Sequence, residues 1–539
     1  MGKIVYYLIM KKIVFSTLLL TALALSSCTF IQILPGSSSS ASIPTPTSKK
    51  DPVIINSTYE NYVKNSVYYE SVIPTSVKKS KYLVLPVWFN DSPALIKPGE
   101  TKESILGKVT TAFGGTTEET GWHSVKSFYE TESKGKKEFD VVIADWYDCG
   151  FASDCVAGSQ NDEEVGKDTE VIIASAINNY FETHDDNRED YDSDGDGYLD
   201  AIAVVYAIQN YKSDFDFARY YRTRPSASFD NLWAYVYWFQ DPDNQNVNNP
   251  GPNAYLWASY DFVNVNDGVP SEYPVKVDAH CYIHESGHLF GLDDYYDYTE
   301  NSNRPAGGFS MQDYNVGGHD PFSVVSLGWG EVYAPTQTET IEISPFATSN
   351  QVVLLSPSFE DSIFDEYLLL EFYTPTGLNE LDCTYLYQSG YPQGPKVPGI
   401  RLWHVDARLA YKEERGYDYP YSPSQITNKI DTQYYYNMLC RNNTYNGTPG
   451  DYFSPLAGEY NFAKYRLLEL IRNEDYFKLR SKSYLSGEDL FVAGSSFNMN
   501  DYSKWFVERG KMNSGRDLGW SFTVNAITSE SANITITKL

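Results

Sequence analysis

Basic residues, histidine, cysteine and long apolar runs are all scarce in this chain of 539 residues. Lysine and arginine number 42 against 71 acidic residues, a net charge of −29. Like charges repel, so this balance disfavours nucleic acid and bare anionic phospholipid as partners and favours solubility. The apolar run at residues 13–25 is too short for a comfortable transmembrane helix. Besides Cys28 there are five cysteines, at 149, 155, 281, 383 and 440, and an odd count excludes a fully paired set. Cys149 and Cys155 are close enough in sequence to close a short loop in an oxidising compartment. Paired carboxylates occur throughout so acidic a chain and identify no glycosidase.

The N-terminus explains the short apolar run. Basic Lys11-Lys12 precede it, and Leu25-Ser26-Ser27-Cys28 close it in the pattern of a bacterial lipoprotein signal, with Met10 as an alternative start. Cleavage before Cys28 would leave a lipidated cysteine on the outer face of the cell membrane; a plain secretory signal or a short anchor is the competing reading. Residues 29 to about 50 are rich in Ser, Pro, Thr and Gly and read as a flexible tether. The expected organisation is a signal at 1–27, the lipidated cysteine and linker at 28–60, a catalytic domain at 61–335 and a β-rich region at 336–539.

With only seven histidines in the chain, their arrangement in His284-Glu285-Ser286-Gly287-His288 stands out. Two histidines four apart on a helix point the same way and reach one ion. Glu285 then lies where it takes a proton from a metal-bound water without ligating the metal. Gly291 lets the chain leave the helix and turn back, bringing Asp294 round as a third ligand. Three protein ligands leave a fourth position for water, the arrangement of a catalytic zinc site. Downstream, Gly307-Gly308-Phe309-Ser310-Met311 provides a glycine-led turn with one of only six methionines; zinc hydrolases with this spacing pass such a turn beneath the metal.

The run HESGHLFGLDDYYDY, followed by SMQDYNVGGHDPFSVVSLGW ending at Trp329, resembles the immune inhibitor A family of secreted bacterial zinc metallopeptidases. The chain departs from that family at Asp293, where relatives often have proline, and at Gln312, which separates Met311 from Asp313. The likeness is strongest between Asp192 and Trp329 and extends weakly from about Lys81 to the C-terminus. It implies a metzincin-like catalytic domain, with zinc on His284, His288 and Asp294, Glu285 as general base, and peptide-bond hydrolysis. Tyr314, three residues after Met311, is the candidate for stabilising the oxyanion, although related enzymes more often space this tyrosine as Met-x-Tyr.

A second acidic signal is Asp192-Ser193-Asp194-Gly195-Asp196-Gly197-Tyr198-Leu199-Asp200. Carboxylates at positions 1, 3, 5 and 9, glycine at 6 and the Tyr198 carbonyl at 7 match a calcium loop. Position 12 is Ala203, so the loop is no complete EF-hand. The expected ion is structural, since without it four crowded carboxylates repel one another.

His280 lies one turn before His284; a helix does not easily bring three residues over two turns onto one ion, so a supporting or packing role is expected. His319 is a loop residue that either lines the cleft or does not, His404 reads as structural, and Cys281 as a small buried residue packing the helix.

The fold expected is α+β. Strands are predicted at 82–89, 139–144, 200–207 and 232–239, with helices at 170–181 and 277–292. Beyond about Pro335, β-branched and aromatic runs at 338–343, 352–355, 367–373, 400–405 and 533–537 predict a β-rich, sandwich-like region, part of which forms one unit with the preceding domain. The stretch 411–446 yields no assignment. The leading functional expectation is a surface-anchored zinc endopeptidase acting on extracellular proteins or peptides. A surface adhesin with a protease-like fold, and a metal-dependent hydrolase of a non-peptide bond, are the alternatives; a general base at Glu285 is of no use to a binding module.

Overall fold

A computed structural model describes residues 43–46, 51–66, 72–158, 163–221, 229, 231–239, 245–265, 268–298, 304–415, 422–440, 442–443, 465–473 and 484–539. The signal segment and Cys28 lie outside the described residues. No described helix is long and apolar enough to cross a membrane.

The fold is mixed α and β, with one mixed sheet and further β-sheets behind it. The first sheet contains β1 (Lys79–Trp88), β2 (Glu138–Ile143), β3 (Tyr147–Asp148), β4 (Ile202–Tyr206), β5 (Ala234–Trp238) and β6 (Ala254–Ser259). Its order is β2-β1-β4-β6-β5, with β3 also pairing β1. All its pairings are parallel except that of β5, which runs antiparallel to β6 at the end of the sheet.

Pro86 lies within β1, where a missing N–H would cost a ladder bond. Leu83 N–H donates to Ala201 O at 3.0 Å on the β4 side, whereas Val84 O accepts from Ala144 N–H at 2.9 Å on the β2 side. Alternation therefore turns the Pro86 nitrogen away from β4. It falls between the β2 pairing, which ends at Val84, and the β3 pairing, which begins at Val87.

The same alternation divides the side chains of β1. Leu83, Leu85 and Val87 join a core with Ile172, Ile173, Ala176 and Ile177 of the helix Glu163–Thr183. Tyr82 and Val84 face a larger core on the other side, formed with Ile105 and Phe113 of Lys102–Gly114, Phe128 and Tyr129 of Val125–Glu132, and Tyr282 and Ile283 of His280–Leu289. Each fully buried Leu, Ile or Val contributes about 1.5–3 kcal/mol. The histidine helix is thus pinned to the sheet, and its pins are polar as well: Tyr82 Oη lies 2.9 Å from Ser286 Oγ, Tyr129 donates to Ile283 O at 2.7 Å, and Tyr282 donates to Ser259 O at 2.8 Å.

From residue 331 onward a five-stranded sheet, Leu468–Ile471, Gly399–Asp406, Glu366–Tyr373, Gln351–Leu355 and Glu331–Tyr333 in spatial order, and a four-stranded sheet, Ser496–Phe497, Trp520–Ile527, Ala532–Lys538 and Glu339–Ile343, enclose one apolar cluster. Leu368, Leu370 and Phe372 point into it, while Tyr367, Leu369 and Tyr373 point back into the core that holds the histidine helix. The strand Glu366–Tyr373 is therefore buried along both faces, and the apolar core runs unbroken across residue 335.

The predicted strands and helices all appear, with shifted ends. The helix foreseen at 170–181 begins earlier, and that at 277–292 is shorter. Strand β6 and the helices Lys102–Gly114 and Val125–Glu132 had no counterpart in the prediction. Both helices carry readable start signals, Thr101 and Ser124, whose hydroxyls accept the backbone N–H groups of Ser104 and Ser127 at 3.2 Å. Part of the unassigned 411–446 stretch forms a three-stranded sheet, Ile426–Thr427, Leu409–Lys412 and Tyr435–Met438. The end of the expected tether is docked: Val53 N–H bonds Val332 O at 2.8 Å, and Tyr59 is buried against Phe322.

Candidate metal centre

The helix His280–Leu289 presents His284 and His288 one turn apart, their rings 4.9 Å apart and nearly perpendicular. His284 Nδ1 lies 2.7 Å from Met311 O and His288 Nδ1 lies 2.7 Å from Leu292 O. A carbonyl only accepts, so each Nδ1 carries the proton and donates it. Both Nε2 lone pairs are left facing the same space.

The helix ends on Gly291, whose φ of 91° belongs to the left-handed region that glycine enters without strain. Gly291 N–H donates to His288 O at 2.9 Å and Leu292 N–H to Gly287 O at 3.2 Å, the paired bonds of a Schellman cap. This exit returns the chain across the helix end. It places Asp294 Oδ1 3.0 Å from His284 Nε2 and 3.4 Å from His288 Nε2. One donor atom from each of the three residues lies within 4.8 Å of the others.

Two imidazole lone pairs and a carboxylate oxygen are all acceptors, and Asp294 Oδ1 is buried with no hydrogen-bond partner among the described residues. Such a convergence calls for positive charge at its centre. Burial opposes charge on His288, but Asp294 prevails and holds that imidazole up at about 10. Burial likewise opposes the Asp294 carboxylate, yet His288 and His284 keep it well below the usual range. Nitrogen and oxygen donors at this spacing fit a divalent cation such as zinc.

Glu285 is 6 % exposed, and no hydrogen bond from a described residue reaches its carboxylate. Burial raises its pKa; the two imidazoles pull it down, and Asp294 adds to the rise. A poised, unengaged carboxylate beside the donor set is suited to holding and passing a proton.

Met311 is fully buried and begins the turn Met311–Tyr314, so the carbonyl that orients His284 belongs to the methionine singled out in the sequence. Gly308 N–H donates to Asp313 Oδ2 at 2.7 Å, and burial pushes Asp313 up to about 7. The adjoining Gln312 side chain packs on the helix so closely that a Cβ at Gly287 would stand 2.2 Å from its Oε1. A larger residue in the middle of the histidine motif would displace the buried Gln312 amide.

Tyr314 sits in a group of aromatic rings, 6.4 Å from Tyr296, 5.9 Å from Tyr391 and 5.4 Å from Tyr484, with the Arg304 guanidinium 4.4 Å from its ring centre. The hydroxyls beside the donor set belong instead to Tyr296 and Tyr298, which donate to Asp294 Oδ2 at 2.8 and 2.5 Å. Sequence reasoning passed over both.

His280 stands outside the donor set. It lies between Asp278 at 2.8 Å and Asp382 at 3.5 Å and stacks on Trp122 at 4.1 Å. Burial opposes its charge, but the two carboxylates raise it to about 9. His319 is buried rather than lining a cleft, bonded through Nδ1 to Glu132 and through Nε2 to Gln312 Oε1 at 3.1 Å. His404 bonds Glu366 at 2.8 Å in the second half of the chain, and Cys281 is buried in the helix.

In the acidic loop, Asp192, Asp194 and Asp200 converge within 4.8 Å. Asp196 is not in this group: its Oδ1 accepts Tyr198 N–H at 2.9 Å, a short-range bond that fixes the turn. Protein cations already stand nearby. Lys64 Nζ is 2.6 Å from Asp194 Oδ2 and 2.8 Å from Glu60. Buried Lys137 donates to Pro74 O, Val77 O and Ser80 Oγ. Burial pushes Asp200 up to about 7, against the bonds from Ser193 and the charge of Lys137.

The loop closure considered for Cys149 and Cys155 is not formed; Cys149, Cys155, Cys281, Cys383 and Cys440 are all free thiols. Cys149 directs its sulfur towards Phe151 O, 3.8 Å away, and burial pushes Cys155 up to about 12. A cavity of about 300 Å³, lined by Leu85, Ala176, Tyr180 and His184 among others, shares no residue with the donor set.

No protein-family model and no curated protein matches the chain. The resemblance to the immune inhibitor A family therefore rests on the motifs themselves.

Replacing Gly287 with alanine forces Gln312 out of contact with the helix, and overpacking of this kind costs about 1–3 kcal/mol. Urea denaturation of Gly287→Ala is expected to show a loss of that size, and an unchanged midpoint would remove the steric requirement.

Proposed function

We propose that the chain is a zinc-dependent endopeptidase of the metzincin-like class, exported and held at the cell surface by a lipid on Cys28. The observation that carries the reading is the convergence of His284 Nε2, His288 Nε2 and the unpartnered Asp294 Oδ1 beside the unengaged carboxylate of Glu285. Bound zinc supplies a Lewis acid that polarises the scissile carbonyl and makes a neighbouring water easier to deprotonate. The two histidines and Asp294 hold the ion, each histidine kept in the required tautomer by a backbone carbonyl. Glu285 accepts a proton from the attacking water and returns it to the departing amine, a transfer helped by the burial that raises its pKa. Tyr314 is kept as the candidate oxyanion donor.

Cleavage of labelled casein by the chain from residue 29 onward tests this. The zinc-loaded wild type is expected to cleave, and Glu285→Ala to lose at least about a hundredfold in turnover. Removing zinc abolishes activity and restoring it recovers the enzyme, while Tyr314→Phe lowers turnover if its hydroxyl acts. A folded, zinc-loaded wild type that cuts neither casein nor a peptide library would contradict the peptidase.

For the acidic loop we propose calcium on Asp192, Asp194 and Asp200, with the Tyr198 carbonyl as a further oxygen and Asp196 bonded to Tyr198 N–H in the turn. Three carboxylates against one directly paired lysine leave negative charge for a hard cation to offset. Adding calcium to zinc-loaded, calcium-stripped protein is expected to raise the melting temperature; superimposable melting curves would count against the site.

A further inference from the structure

The two oxygens of Asp294 lie in different surroundings. Oδ1 faces the two histidine nitrogens at 3.0 and 3.4 Å and has no hydrogen-bond donor among the described residues. Oδ2 accepts both tyrosine hydroxyls, from Tyr296 at 2.8 Å and from Tyr298 at 2.5 Å. Each distance is that of a well-formed O–H···O bond to a charged acceptor.

The rings that carry these hydroxyls are fixed in their turn. Tyr296 and Tyr298 meet edge to face at 5.0 Å, and Tyr296 also contacts Tyr314 at 6.4 Å. Between them the chain alternates. Tyr295 is fully buried in the main core, its N–H donating to Gln312 O at 2.8 Å and its hydroxyl in contact with Ser323 Oγ at 3.2 Å. Asp294, Tyr296 and Tyr298 thereby share the opposite side, as residues two apart do in extended chain.

We infer that Tyr296 and Tyr298 are positioning residues for the metal: together they clamp Asp294 Oδ2 so that only Oδ1 is presented to the ion. The inference rests on the reading of His284, His288 and Asp294 as metal ligands. A short carboxylate on an irregular segment is otherwise free to rotate about its last bond and to exchange one oxygen for the other or offer both. Two donors on one oxygen oppose that rotation, because either movement breaks bonds to a buried charge. They also draw negative charge away from the ligand, compensating for a carboxylate where many such sites have a third imidazole. The pair plays for Asp294 the part that the carbonyls of Met311 and Leu292 play for the histidines.

Zinc affinity, measured on the full chain by competition with a chromophoric chelator, separates this role from mere packing. The variants are Tyr296→Phe, Tyr298→Phe, the double replacement and Asp294→Ala. Phenylalanine keeps the ring contacts and deletes only the hydroxyl. Zinc binding is expected to weaken about tenfold in each single variant and up to about 100-fold in the double. Melting of the metal-free proteins is expected to fall modestly, since each lost hydroxyl leaves a bond to a buried carboxylate unmade, whereas the visible spectrum of the cobalt(II)-substituted double variant, which a merely stabilising role would not move, should shift as Asp294 changes its mode of binding. Wild-type affinity and an unaltered cobalt spectrum in the double variant, with zinc lost in Asp294→Ala, would overturn the clamp and leave the metal centre standing. A wild type that binds no zinc would overturn the metal centre and the clamp with it. Should the double variant not fold, the single variants decide, with a tenfold loss expected in each and wild-type affinity in both overturning the clamp.

Discussion

Two backbone carbonyls, those of Met311 and Leu292, determine which nitrogen of each histidine faces the centre. One belongs to the chain leaving the helix after Gly291; the other comes from a turn nineteen residues further on. If either segment moves, an imidazole is freed to rotate and the set of converging lone pairs is lost. Much of the remaining structure can be understood as holding those two segments in place. Arg401 donates to Phe309 O at 3.2 Å just before the turn, while Asp382 and Asn379 accept the N–H groups of Gly317 and Gly318 just after it. Arg401 is itself buried against Glu371, whose other bond comes from Trp403. The second half of the chain is in this sense part of the scaffold of the centre.

The same dependence shows in the electrostatics. A chain with an excess of acidic residues buries several of them, and each buried carboxylate is met by a specific donor. Glu366 accepts from His404, Asn513 N–H and Ser514 N–H, and Asp406 pairs with Arg408 through two bonds. Against that background no hydrogen bond from a described residue reaches the Glu285 carboxylate, and Asp294 Oδ1 is one of several buried carboxylate oxygens, with Asp313 Oδ1, Glu371 Oε2 and Asp382 Oδ1, that no described donor reaches. Unmet buried acceptors are costly. At Glu285 and Asp294 Oδ1 alone among these the unmet oxygens stand with two converging imidazole nitrogens, and that is the physical reason for assigning chemistry there.

The histidine motif was legible because everything it needs is local. Helix periodicity brings His284 and His288 together, and Gly291 marks the exit that returns Asp294. Met311 was legible for its rarity and position. Tyr296 and Tyr298 were hidden by abundance, being two of 46 tyrosines, although the alternation Asp-x-Tyr-x-Tyr after the helix exit would have singled them out. The bond of Asp196 Oδ1 to Tyr198 N–H was not legible, because sequence spacing does not show which carboxylates a turn uses for its own backbone. The strands after residue 335 were visible as apolar runs. What such a run does not disclose is that alternate residues of Glu366–Tyr373 serve two different cores, since burial on both faces removes the polar alternation that would identify each side.

X-ray absorption at the zinc edge of the zinc-loaded full chain tests the central claim most directly, since it reports the atoms bound to the metal. Two imidazole nitrogens accompanied by oxygen, with the imidazole signal reduced in His284→Ala and in His288→Ala, is the result this account predicts. A sulfur-containing shell, or a spectrum unchanged by either replacement, would place the metal elsewhere and contradict it.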